Sequence, residues 1–69
     1  MKAIRVFIDE EENFKIPNLV EKMNSNEDIA MIAVGLGEFV IATIGDCTMA
    51  YVMAIIKGKF NDCSIETIK

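Results

Sequence analysis

Apolar and polar residues alternate at the start of the chain. Ile4, Val6 and Ile8 occupy every second position, with Arg5 between the first two. A period of two is the signature of a strand that buries one face, so residues 2–9 are predicted to form a strand. The acidic run that follows favours a loop, and we expect it to be solvated.

A helical period replaces this alternation after the loop. The residues at positions i, i+3, i+4 and i+7 are apolar: Ile16, Leu19, Val20 and Met23. This spacing places side chains on one stripe of a helix. Pro17 suits the first helical turn, where its missing N–H costs no hydrogen bond, and the polar residues 24–26 favour a turn that ends the helix. A short helix over one face of a sheet is predicted.

The longest apolar stretch covers residues 29–56 and is open to three interpretations. A membrane span needs roughly 20 consecutive apolar residues. Residues 29–45 approach that length, but Glu38 lies near their middle, where a charge costs a few kcal/mol in a bilayer. We therefore expect no membrane segment.

The second interpretation is a β-α-β unit followed by one long helix from about residue 38 to 57. Gly45 would lie near the centre of that helix, at a cost of about 1 kcal/mol relative to alanine. The helix would also contain a run of β-branched residues, which prefer strands: Val40, Ile41, Thr43 and Ile44. This arrangement stays open as the alternative.

The third interpretation, strand, turn, strand and helix, gives every glycine a role and is the one we favour. Residues 28–34 and 39–44 are the strands, and residues 35–37 connect them. Asp46 is expected to be the N-cap of the helix and Gly58 its C′ residue. The helical stripe consists of Met49, Val52, Met53 and Ile56.

The tail, residues 62–69, is expected to add a last strand because of its Thr and Ile content, although Ile65 and Ile68 also fit a helical turn. The resulting order, β-α-β-β-α-β, is that of a ferredoxin-like two-layer α+β sandwich. Right-handed crossovers would place both helices on one face of a four-stranded antiparallel sheet and leave the other face bare.

The bare face is expected to be apolar and to form an interface. Its expected members are Phe7, Ala30, Ile32, Val34, and Phe39 or its neighbours. An apolar sheet face on so small a protein indicates an interaction site. The most economical partner is a second copy, which gives a homodimer with its sheets packed face to face.

Composition supports self-association and narrows the choice of partner. A chain of 69 residues forms one domain, residues 1–69, which buries too little surface to be very stable alone, and 52% of its residues are apolar. The net charge of −4 argues against nucleic acid, which requires clustered Lys and Arg, and is compatible with a basic protein partner. No secretory signal precedes the first strand, so the expected location is cytoplasmic.

Metal and cofactor chemistry is not expected. The chain has no His, and Cys47 and Cys63 stand apart without the spacing of a zinc site. The acidic residues 9–12 lack the spacing of a calcium loop. We predict neither a metal site nor a cofactor.

Gly45, Asp46 and Cys47 are the best candidates for a small-ligand or catalytic site. They lie where a strand is predicted to end and a helix to begin, a place where the helix dipole and free N–H groups favour anions and thiolates. However, no His can act as a base, and Asp46 adds a negative charge beside the thiol. Cys47 is therefore expected to be a core filler, and an enzyme is disfavoured.

The expected function is that of a small cytoplasmic, non-catalytic module. It would self-associate through its apolar sheet face and bind a protein or small ligand, as a regulator or inhibitor. The alternative is a small thiol-dependent enzyme or redox sensor that uses Cys47 at a helix N-terminus.

Overall fold

The computed structural model describes residues 1–68 and contains one sheet and two α-helices. The elements are β1 (Lys2–Ile8), a 3₁₀ helix (Glu10–Lys15), α1 (Ile16–Asn24), β2 (Ile29–Gly35), β3 (Glu38–Thr43), α2 (Asp46–Lys59) and β4 (Cys63–Ile68). The strands are antiparallel to their neighbours, in the order β2-β3-β1-β4. The predicted α+β class, with a four-stranded antiparallel sheet and two helices, is confirmed. Lys69, the end of the predicted last strand, lies outside the described residues.

The core lies between the helices and one face of the sheet. On β1, Ile4 and Val6 face the helices and are buried, whereas Arg5 faces away. The α1 and α2 stripes cover that face. The buried apolar residues are Ile4, Val6, Ile16, Leu19, Met23, Ile29, Met31, Phe39, Ile41, Met49, Val52, Ile56 and Phe60. The core therefore draws on both helices, the first three strands and the residue after α2.

The alternative with one long helix is wrong, because residues 38–43 form β3 and pair with both β1 and β2. The β-branched residues there are accommodated in a strand, as their side chains favour. Among the described helices, none is long and apolar enough to cross a membrane.

Both predicted caps of α2 are wrong. Gly45 is the N-cap, in an extended conformation, and its carbonyl accepts the Met49 N–H at 3.1 Å. Asp46 is the first helical residue, and its carboxylate lies 3.5 Å from Lys2 Nζ. Gly58 is helical, and α2 ends before the extended residue Phe60. Helix ends depend on the conformation of individual residues, which residue preferences alone do not determine.

The acidic run after β1 enters a 3₁₀ helix and is not a loop; residues 9–11 are exposed as predicted, but Glu12 is not. Glu12 is buried, and its carboxylate accepts hydrogen bonds from Lys15 Nζ at 2.8 Å and from the Asn61 N–H at 3.2 Å. Lys15 Nζ also donates to the carbonyl of Lys59 at 2.9 Å. These contacts fasten the run to the C-terminal end of α2, which explains why a charged residue is buried there.

The outer edge of β2 is occupied by polar groups from the end of α1. The Asn24 side chain accepts the Met31 N–H at 2.7 Å and donates to the Met31 carbonyl at 3.0 Å. The Ile29 N–H is taken by the carbonyl of Asn26 at 3.1 Å. Unpaired groups on an edge strand promote pairing with another chain, so these contacts protect β2.

Asn24→Ala is expected to expose the β2 edge and to promote aggregation. The substitution removes two hydrogen bonds, which should lower the free energy of unfolding by about 1–2 kcal/mol. It should also accelerate the rise in light scattering during incubation, because the Met31 N–H and carbonyl become available. Asn18→Ala is the matched control, since Asn18 is exposed on the same helix. Equal scattering by the two variants would contradict this role of Asn24.

Candidate interaction surface

The fold leaves the sheet face opposite the helices uncovered, and we call it the open face. Cross-strand pairing places Ile32 beside Val40, and Val40 beside Arg5. The open face consists of Ala3, Arg5, Phe7, Ala30, Ile32, Val34, Glu38, Val40, Ala42, Ser64, Glu66 and Ile68. All of these side chains are exposed or half-buried.

Four of the five predicted interface residues lie on the open face, and Phe39 does not. Ile32 is 63% exposed and Val34 is 51% exposed, and Phe7 and Ala30 share their face. Phe39 is fully buried, and its ring centroid lies 5.9 Å from that of Phe60. The register of the sheet places Phe39 opposite Val6, on the helix-covered side. The neighbours Val40 and Ala42 occupy the open face in its place.

The open face is more polar than the sequence analysis predicted. Its apolar part lies mainly on β2 and β3, whereas charges lie toward β1 and β4. Arg5 Nε is 3.3 Å from Glu38 Oε2, and Glu66 is directly opposite Arg5 in the β1–β4 register. The surface therefore combines an apolar half with a cation between two carboxylates.

A groove between α2 and the sheet is the second uncovered feature. Its volume is about 500 Å³. It is lined by Met1, Lys2, Ala3, Ile4, Asp46, Met49, Ala50, Met53, Ile65, Thr67 and Ile68. The chain pattern contained no signal for it, because the space arises from the position of α2 relative to β4.

The predicted site at residues 45–47 is only partly assembled. Asp46 lines the groove, whereas Gly45 and Cys47 do not. Cys47 is exposed, so its prediction as a core filler is wrong; it lies off the α2 stripe that faces the sheet. Within residues 1–68, no hydrogen bond or ion pair joins the Cys47 side chain to another group, and no cluster of three potential ligands could hold a metal ion.

Among the described residues, the fold leaves the open face and the groove beside β4 uncovered. Neither contains an assembled set of catalytic groups among the described residues. No family model matches the chain, and no match is found among curated proteins or solved structures.

Proposed function

We propose that this protein is a small non-catalytic interaction module, which pairs with a second copy through its open face and binds another protein. The observation that carries the proposal is the apolar part of the open face, where the exposed Ile32 lies beside Val40 and the exposed Val34 follows on β2. Adjacent exposed apolar side chains favour association, and burying one of them fully contributes about 1.5–3 kcal/mol.

Charge complementarity favours a second copy as the occupant of the open face. Arg5 lies between Glu38 on one neighbouring strand and Glu66 on the other. A two-fold axis over β2 and β3 can bring Arg5 of one copy against Glu38 of the other, and the reverse contact follows by symmetry. Glu66, on the edge strand β4, would stay at the rim of that contact. The same two-fold axis would pack the apolar half of each copy's open face against the open face of the other copy.

The proposal includes a ferredoxin-like arrangement in a cytoplasmic protein. The strand order β2-β3-β1-β4 and the element order support the arrangement. The sequence has two cysteines, too few for a disulfide framework, which supports a reducing compartment. Regulation or inhibition of the bound protein is the role we propose for such a module.

Ile32→Lys is expected to dissociate the dimer. A buried lysine would face the apolar half of the other copy, and each dimer contains the substitution twice. The dissociation constant should rise about 100-fold or more, measured by light scattering across a concentration series. Tyr51→Lys is the matched control, because Tyr51 is 54% exposed on α2, on the opposite side of the sheet. A native protein that is monomeric throughout the micromolar range would refute the proposed dimer.

A further inference from the structure

The outer edge of β4 presents backbone groups to solvent. The Ile8 N–H donates to the Gly37 carbonyl, on the β3 side of β1. Because the direction of N–H and C=O groups alternates along a strand, the odd-numbered residues of β1 direct theirs toward β4. Their partners on β4 are even-numbered. The odd-numbered residues of β4, Cys63, Ile65 and Thr67, therefore direct their N–H and C=O groups outward.

The two edges of the sheet differ in their protection. The Asn24 side chain occupies the middle of the β2 edge through two hydrogen bonds. In the described part of the chain, no side chain forms a hydrogen bond with the backbone of β4. β4 is therefore the edge that can accept another strand.

The groove between α2 and the sheet lies beside this open edge. Its apolar lining includes Met49 and Met53 on α2, and Ile65 on β4. A strand added to β4 would direct every second side chain toward the helix-covered side, next to Ile65. The groove can accept apolar side chains from such a strand.

The other face of β4 favours a positive charge on the added strand. Glu66 is exposed, and no ion pair joins it to a described Lys or Arg. Arg5 is opposite it in the register, but the Arg5 guanidinium contacts Glu38 at 3.3 Å. Opposite charges on neighbouring strands stabilise their pairing, so a Lys or Arg beside Glu66 would complement the edge.

We propose that the β4 edge and its groove bind an extended segment of another protein in which apolar and basic residues alternate. The segment adds a fifth strand, places its apolar side chains in the groove and its basic side chains beside Glu66. This inference rests on the proposed protein-binding function and names the chemistry of the partner. A second copy fits less well: antiparallel pairing of two β4 strands about Ile65 would put Ser64, not a cation, opposite Glu66.

The test is a titration of the full chain into a fluorescent peptide of alternating valine and lysine, followed by anisotropy. Thr67→Pro should weaken binding about tenfold, because it removes an outward N–H that the peptide would use. Thr67→Val keeps that N–H and the branched shape, and should bind within about twofold of the native chain. Glu66→Gln should weaken binding about threefold.

The matched control peptide replaces every lysine by glutamate and should bind at least about tenfold more weakly. The inference is overturned if the two peptides bind equally, or if Thr67→Pro binds as tightly as Thr67→Val. Thr67→Pro should retain the native circular dichroism spectrum, since its outward N–H takes no part in the β1–β4 ladder. Light scattering in the absence of peptide measures self-association separately. A protein that does not dimerise can therefore be distinguished from one that does not bind the peptide.

Discussion

Phe39→Ala is expected to remove about 3–5 kcal/mol from the free energy of unfolding, which is most of the stability of a domain this small. Phe39, on β3, is fully buried, and its ring packs against the ring of Phe60. Alanine would leave a cavity among groups that are held by strand pairing on both sides of β3. Urea unfolding followed by circular dichroism should show a large shift to lower denaturant, or no folded baseline at all.

Phe7→Ala is the matched control for this prediction. Phe7 lies on the open face of the adjacent strand and is 36% exposed. At low protein concentration, where the proposed dimer dissociates, its loss should cost about 1 kcal/mol, since less area is removed from contact. A similar loss of stability in both variants would contradict the assignment of Phe39 to the core and Phe7 to the interface.

Gly37→Ala is expected to destabilise the protein by about 2–4 kcal/mol. Gly37 has φ of 70°, a conformation that costs an L-residue with a side chain about 1–2 kcal/mol. A Cβ atom there would also lie 2.8 Å from the Ile8 carbonyl oxygen, a backbone atom that cannot move aside alone. The same residue accepts the Ile8 N–H and donates to Asn13 Oδ1, both at 2.8 Å, so a shift would strain both bonds.

Gly58→Ala makes the same chemical change but is expected to stabilise the protein. Gly58 lies in the last turn of α2, and an added Cβ would meet no heavy atom within 4 Å. Alanine there should stabilise the helix by about 0.5–1 kcal/mol. Thermal unfolding of both variants tests the two expectations. If Gly58→Ala destabilised the protein as much as is expected for Gly37→Ala, the loss of stability would not depend on the conformation of Gly37.

Local periodicity predicted the elements well. The stripe from Ile16 to Met23 and the turn-forming residues after it predicted α1, Ile16–Asn24, to within one residue. The alternation around Arg5 predicted β1, Lys2–Ile8, to within one residue. Such predictions succeed because the period of apolar residues and the residues that end a helix or strand are properties of neighbouring positions.

Which face of β3 is buried does not follow from the residues of β3 alone. Residues 39–42 are all apolar, so they contain no alternation that distinguishes one side from the other. Their pairing with β1 places Phe39 beside Val6 and Val40 beside Arg5, and that register decides which of them is covered. The predicted place on the open face was therefore wrong for Phe39, and its neighbours Val40 and Ala42 lie there, whereas the interface itself stays a prediction.

The polar contacts that matter most join residues far apart in the sequence. Glu12 and Asn61 are 49 positions apart, and Asn13 and Gly37 are 24 positions apart. From the sequence alone, such residues are predicted to be solvated, because only their polarity is known. Only the packed chain shows that Glu12 has partners that permit its burial and that Asn24 reaches the β2 edge.

The sequence by itself determined β1 and α1, because each depends on the period of apolar residues and on the helix- or strand-ending residues within one short segment. It favoured the other strands and α2 over an alternative that only the structure excluded, and it missed the 3₁₀ helix. The tertiary structure alone decided which sheet face is open, which edge is protected and where the groove lies. These features arise where segments distant in the chain meet, and their geometry depends on register and on the placement of α2 over the sheet. The proposed binding surfaces follow from that geometry.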